Sequence, residues 1–294
     1  MADVLVIGSA VADFVFSMET IPDEPRKYRA DSAEIVGGGC AANAAVAIAR
    51  LGGKAFLAAR LGDDPVGDLI AADLQAEGVD LSLVNRAVGG QSSFSSICID
   101  AAGERQIVNF RGAGLTESAD WLGATPPVQA VLADTRWNEG AKRGLELARD
   151  RGIPGVLDGE APVDPDVAAC ASHVAFSRDG LRAFSGHDDL RNALADASAR
   201  LPGWVCVTDG ENGVYYIDGG GIVHLPAYRV AVKDTLGAGD AWHGAFALAL
   251  GEGQDPARAI RFANATAALK CMTFGGRKGC PDRAAVDSFL KENT

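Results

Sequence analysis

The stretch Lys233-Asp234-Thr235-Leu236-Gly237-Ala238-Gly239-Asp240-Ala241-Trp242-His243-Gly244-Ala245-Phe246 decides how this chain is read. Gly237, Ala238 and Gly239 are small enough to leave successive backbone N–H groups uncovered, and an apolar helical segment, Ala241 to Leu250, follows at once. A flexible loop opening a helix collects N–H donors and the positive end of the helix dipole at one point, which makes an anion site. A carboxylate is out of place there unless chemistry occurs at it. Asp240 fits a site where the N–H groups hold charge developing on a phosphoryl group while its carboxylate orients and deprotonates an attacking hydroxyl. Read in isolation, Gly-x-Gly-Asp is also an ordinary turn with a helix cap. No Walker A sequence GxxxxGK[ST] occurs, so this loop is the expected phosphate site.

Away from the loop, short apolar runs end in Gly, Asp or Ser: Val4–Ile7, Val131–Ala133, Val156–Leu157, Val174–Phe176 and Val205–Val207. Such runs suit parallel strands buried on both faces. Helical segments lie between them at Ala41–Leu51, Gly67–Glu77, Ala141–Arg151, Leu190–Arg200 and Pro256–Met272. The alternation predicts a doubly wound α/β sandwich. Phe14–Val36 and Ser92–Arg111 instead alternate apolar and polar residues, as in Phe94-Ser95-Ser96-Ile97-Cys98-Ile99, which predicts a small antiparallel sheet projecting from the body. The expected organisation is one domain over 1–294 carrying that sheet as an insertion.

Composition narrows the function. With 39 acidic against 27 Lys and Arg residues, the formal charge is −12, which argues against a nucleic-acid partner. No apolar stretch reaches the ~18 residues that span a bilayer, and Met1-Ala2-Asp3-Val4 is acidic and enters a strand directly, unlike a signal peptide. Cys40, Cys98, Cys170, Cys206, Cys271 and Cys280 are scattered with no CxxC pair, and His173, His187, His224 and His243 lack ligand spacing. The cysteines read as small apolar residues in a reducing cytosol, and a cytoplasmic location without a structural metal is expected.

With its flanks, Asp-Thr-x-Gly-Ala-Gly-Asp resembles the C-terminal signature of the ribokinase-type (PfkB) carbohydrate kinases. A second match lies near the N-terminus, where Gly37-Gly38-Gly39, Asn43 and Ala49-Arg50-Leu51-Gly52 resemble the family's sugar-binding glycine pair, its Asn and its first long helix. Arg60-Leu61-Gly62-Asp63-Asp64 and Gly67 are similar to its usual strand-end and helix-start segment. The matches run in order from Val4 to about Pro281. The resemblance implies a ribokinase-like doubly wound parallel sheet sandwiched by helices, with a small antiparallel β lid over the sugar at about 14–36 and 92–111. It implies ATP and magnesium as cofactors, and leaves open a monovalent cation and a homodimer formed through the lid. A lid also makes physical sense, because a phosphoryl transferase must exclude water or hydrolyse its donor.

Individual residues carry the expected roles. Asp240 is the expected base, with Gly237, Ala238 and Gly239 as the anion loop. Asp13 follows the first strand after the turn Gly8-Ser9-Ala10 and matches the family's sugar-binding carboxylate. Gly38 and Gly39 allow close backbone approach and a lid hinge, and Asn43 offers a donor and an acceptor to a diol. On the nucleotide side, Thr208-Asp209-Gly210-Glu211-Asn212-Gly213 resembles the loop over the ATP phosphates. Asn264 matches a position flanking the adenine pocket, and Gly275, Gly276 and Gly279 the loop that closes it. One departure stands out. Many relatives carry Asn-x-x-Glu, organising water around magnesium, where this chain has Ser177-Arg178-Asp179-Gly180, as ketohexokinase-like branches also do. Asp179 is the candidate replacement.

The block Val131 to Lys142, with Asp134-Thr135-Arg136-Trp137, and Val156-Leu157-Asp158-Gly159 resemble 6-deoxy-6-sulfofructose kinases, with ketohexokinases next. Lys27, Asn109 and Arg136 could then read an anionic head group, since Arg offers a donor fork and Lys a point charge. Ordinary salt bridging is the competing account of these cations. The expectation is a kinase phosphorylating the C1 hydroxyl of 6-deoxy-6-sulfofructose, with a neutral ketohexose such as fructose as the alternative. A non-catalytic sugar-binding sensor is the alternative of another class, and the intact Asp240 loop opposes it.

Overall fold

The computed structural model describes residues 1–293. In chain order the strands are β1 (Asp3–Ile7), β2 (Val11–Ser17), β3 (Ser32–Gly38), β4 (Lys54–Ala58), β5 (Arg60–Gly62), β6 (Asn85–Ala87) and β7 (Phe94–Ile99). They continue as β8 (Arg105–Phe110), β9 (Ala130–Ala133), β10 (Gly155–Gly159), β11 (His173–Ser177), β12 (Trp204–Thr208), β13 (Val214–Asp218) and β14 (Gly221–Leu225). The helices are α1 (Cys40–Arg50), α2 (Pro65–Ala76), α3 (Asn138–Arg151), α4 (Pro165–Ala168) and α5 (Arg178–Ser185). After these come α6 (Leu190–Arg200), α7 (Ala238–Gly251), α8 (Pro256–Cys271) and α9 (Arg283–Glu292).

An eight-stranded sheet runs β14-β13-β12-β11-β10-β9-β1-β4, parallel from β12 through β4 and closed at the other edge by the antiparallel β13–β14 hairpin. Its strands lack polar alternation because both faces are covered. In β1, Val4 and Val6 pack into one core with α1, α7 and α8, while Leu5 and Ile7 pack into the other with α3 and α6. The fold is ribokinase-like. The expected strand runs and helices all form, most with ends shifted by a few residues. Local patterning did not reveal β4, the β13–β14 hairpin, α5 or α9.

The two alternating stretches form a four-stranded sheet in the order β3-β2-β7-β8. Its outer pairs are antiparallel and its central β2–β7 pair is parallel, because both inner strands leave the body in the same direction. Registered rows cross this sheet, and one of them aligns Val36, Asp13, Ser95 and Asn109 on a single face.

Helices α1 and α7 cross closely. A side chain at Gly244 would sit 2.6 Å from the Ala44 carbonyl oxygen, so only glycine permits the approach. That crossing brings the N-terminal ends of the two helices together beyond the carboxyl ends of β1, β9 and β10, where open α/β sheets place their ligands.

Candidate active site

Asp240 lies in the first turn of α7, whose N-cap is Gly237 without a side-chain capping bond. The carboxylate is therefore not the helix cap. Of the expected open N–H groups, that of Ala238 closes a turn onto the Thr235 carbonyl at 3.1 Å. Those of Gly237, Gly239 and Asp240 make no hydrogen bond to protein among the described residues. The anion loop thus keeps three free donors, with Ala238 removed from the set.

Asn43, on α1, donates from Nδ2 to Asp240 Oδ2 at 2.7 Å, while its Oδ1 is buried without a partner. Cys40, Asp158 and Asp240 each place one ligand-type atom within 4.8 Å of the others. Burial, then the neighbouring Asp158 charge, push the Asp240 carboxyl up to about 7, against the Asn43 hydrogen bond. Burial, Glu160 and Asp134 hold Asp158 well above the usual carboxylate range. Burial and four carboxylates keep the Cys40 thiol protonated, and its Sγ lies 3.6 Å from Glu160 Oε2. Behind this cluster, buried His243 faces the Gly239 carbonyl at 2.8 Å, the Ala175 carbonyl at 3.1 Å and the Asp158 carboxylate at 3.4 Å. The sequence alone assigns no role in the site to Asp158, which enters only within the Val156–Gly159 resemblance, nor to Glu160, Cys40 or His243. The available signal was the acid pair Asp158 and Glu160 at the end of an apolar run.

The other expected residues fall in distinct places. Asp13 receives a hydrogen bond from Ser95, whose Oγ also accepts from Asn109 Nδ2 at 3.0 Å. Burial raises the Asp13 carboxyl, and the Ser95 bond and the Arg277 charge work against it. A side chain at Gly38 would run into the Asp13 carboxylate, so the glycine makes room for it. Gly39 caps α1. Asp134 anchors this corner, accepting from Ser9 N and Oγ at 2.8 Å each, Ala41 N at 3.2 Å and Arg136 N at 2.8 Å.

Arg136 stands at the carboxyl end of β9 as expected, but it is not the free cation that an anion reader requires. Its guanidinium is paired with the Glu160 carboxylate and donates to the Ala161 carbonyl at 3.0 Å. Asn109 is engaged with Ser95, and Lys27 is exposed in the connection between β2 and β3, without a hydrogen-bond or ion-pair partner among the described residues. Asp179 is exposed in the first turn of α5 and does not join the Asp158–Asp240 cluster.

On the other side of the anion loop opens a cavity of about 690 Å³ between β12–β13 and α7–α8. Thr208, Gly210, Gly213, Ala238, Gly239 and Asn264 line it. The Asn264 amide is spent within the protein, accepting from Trp242 Nε1 at 2.8 Å and donating to the Pro226 carbonyl at 3.1 Å, so it shapes the wall without a free polar group. Gly276 does not line the cavity; its N–H braces Asp234 at 3.0 Å.

Residues 1–283 match the pfkB family carbohydrate kinases. The chain belongs to that family. It is 31% identical over 296 residues to the ribokinase of Bacillus subtilis (strain 168), covering 99% of this chain and 100% of the relative. A fructokinase of Klebsiella pneumoniae is 29% identical over 264 residues, covering 81% and 80%. The structure of Arabidopsis thaliana ribokinase complexed with ribose and ATP superposes with a TM-score of 0.90 at 26% identity, covering 99% of both chains. The protein is a sugar kinase of ribokinase type. Among the described residues no helix is long and apolar enough to cross a membrane.

Proposed function

We propose that this kinase transfers the γ-phosphoryl group of ATP to a primary hydroxyl of a neutral sugar, a ketohexose such as fructose or a pentose such as ribose. The observation that carries the reading is the placement of Asp240 between a polar, acid-lined corner and a separate cavity across the anion loop. The sugar occupies the corner, with Asp13 and Asn43 reading its hydroxyls. The nucleotide occupies the cavity, with its phosphates reaching the free N–H groups of Gly237, Gly239 and Asp240. Asp240 takes the proton of the attacked hydroxyl, and a carboxyl poised near 7 suits a base at neutral pH. The N–H groups then hold the charge that develops on the transferred group.

Magnesium belongs to this reading. The Asp158 carboxylate and the unpartnered Asn43 Oδ1, beside the base, are oxygen donors that suit a hard divalent ion, whereas the protonated Cys40 thiol does not. The ion would neutralise phosphate charge when bound.

Neutral substrates are favoured over 6-deoxy-6-sulfofructose because Glu160 already neutralises Arg136, and the remaining corner is acidic. The relatives described above, a ribokinase and a fructokinase, agree in class. The small sheet serves as the lid. Its exposed Ile35, Phe94, Ile107 and Val108 support a homodimer formed through it. A cytoplasmic setting accords with six cysteines that are all free. The test is ATP consumption with ribose, deoxyribose, fructose and sulfofructose. A preference for sulfofructose would overturn the neutral assignment, and no turnover with any sugar would revive the sensor.

A further inference from the structure

Lys270 is fully buried, and the proposed reaction makes no use of its charge. It stands in the last turn of α8, with Nζ donating to the Asp234 carbonyl at 2.9 Å and lying 3.3 Å from the Asp234 carboxylate. That carboxylate also accepts from the N–H groups of Leu236 at 2.9 Å, Gly275 at 3.1 Å and Gly276 at 3.0 Å. The Cys271 carbonyl, at the end of α8, accepts from Lys233 N at 2.8 Å and Asp234 N at 3.1 Å. One junction therefore fastens the end of α8, the segment leading into the anion loop and the closing loop at 275–279. Gly237 follows Asp234 by three residues, so displacement of the junction displaces the N–H groups that face the phosphoryl group.

The junction gathers negative charge from a carboxylate, main-chain carbonyls and the C-terminal end of a helix dipole. A buried assembly of this kind needs a cation. We propose that Lys270 is a built-in cation filling the place of a diffusible monovalent ion behind the anion loop, and that it is a positioning residue for phosphoryl transfer. An ammonium already within hydrogen-bond reach of the Asp234 carbonyl and carboxylate leaves no favourable seat for a second positive charge. The monovalent cofactor left open by the sequence accordingly does not fit here, and the enzyme works without one.

The kinetic part of the test rests on the sugar-kinase reading, and the thermal part does not. Wild-type turnover is measured in buffers whose only monovalent cation is choline, sodium, potassium or ammonium. The expected rates agree within about twofold, and thermal stability is equally indifferent to the ion. Lys270→Ala in choline should lose ~10- to ~100-fold in kcat/KM, the scale of a displaced catalytic loop. Potassium or ammonium should restore rate and raise Tm saturably in this variant, while choline is too large to enter. Three results overturn the proposal. The wild type needs potassium; or Lys270→Ala matches it in choline; or the folded variant regains neither rate nor Tm with small cations. If Lys270→Ala does not fold, Lys270→Gln, neutral and one bond shorter, carries the same series, and the wild-type ion comparison decides independently. A wild type inactive in every buffer but with ion-indifferent melting would fail the kinase reading and leave the built-in cation standing.

Discussion

Replacing Asp158 by Asn should move the pH dependence of catalysis to lower pH. Asp240 must be a carboxylate to accept the hydroxyl proton, so activity rises as pH climbs through its pKa. In the intact protein that ascending limb is expected near the value of about 7 at which burial and Asp158 hold the group. Asp158 and Asp240 present oxygens no more than 4.8 Å apart. Two like charges at that separation repel by about 3.5 kcal/mol at an effective dielectric constant of ~20, equivalent to ~2.5 pH units. Burial is the larger cause, however, and Asp158 is itself held well above the usual carboxylate range, so only part of that repulsion is felt at Asp240. Removing the Asp158 charge should therefore lower the limb by roughly 1–2 pH units. The assay is kcat/KM for the preferred sugar between about pH 5 and 9, by ADP release, with circular dichroism at each pH to confirm folding. A limb that stays in place, or moves upward, would refute the electrostatic coupling. A wild-type limb near 4 would refute the raised Asp240 altogether.

Asp240→Asn should cut kcat by ~100-fold or more with ATP affinity by calorimetry nearly unchanged, and near-native turnover would exclude its role as base. Gly38→Ala forces Asp13 aside, so KM for sugar should rise ~10-fold or more while KM for ATP holds; parallel changes in both would point to global damage instead. Sugar binding should protect the amides of β2, β3, β7 and β8 from hydrogen exchange if the small sheet closes over the site, and equal exchange with and without saturating sugar would count against a lid. Val108→Glu, at an exposed apolar position of that sheet, should shift a dimer to monomer in sedimentation, with an unchanged mass showing that the interface lies elsewhere.

The legible parts of this chain are those whose physics is local. Runs such as Val4–Ile7 announce themselves because burial on both faces removes alternation, and β1 does split its side chains between the two cores. The anion loop was readable because its glycines, its helix and Asp240 are contiguous. What the loop meets is not contiguous. Asn43 reaches Asp240 across 197 positions, His243 reaches the Ala175 carbonyl across 68, and Lys270 reaches Asp234 across 36. No periodicity or propensity records such pairings. Arg136 illustrates the consequence: its place at a strand's carboxyl end was readable, but its charge balance depends on Glu160, delivered by the neighbouring strand.

Gly244 carries this reasoning furthest. In sequence it is one small residue in an apolar helix, where glycine costs about 1 kcal/mol relative to alanine. In the fold it allows α7 to lie against the Ala44 carbonyl, and that contact sets the 2.7 Å bond between Asn43 and Asp240 one turn away. A methyl group there would push the helices apart by several tenths of an ångström or more and lengthen a hydrogen bond to a charged group, of the kind that contributes ~1.5–3 kcal/mol. Losing that bond removes a force that favours the Asp240 carboxylate. Gly244→Ala, four residues and about 6 Å of helix rise from the base, should thus raise the pH limb above its native position. The shift is opposite in sign to that of Asp158→Asn, and both variants shifting the same way would show that the two helices do not set the base through Asn43.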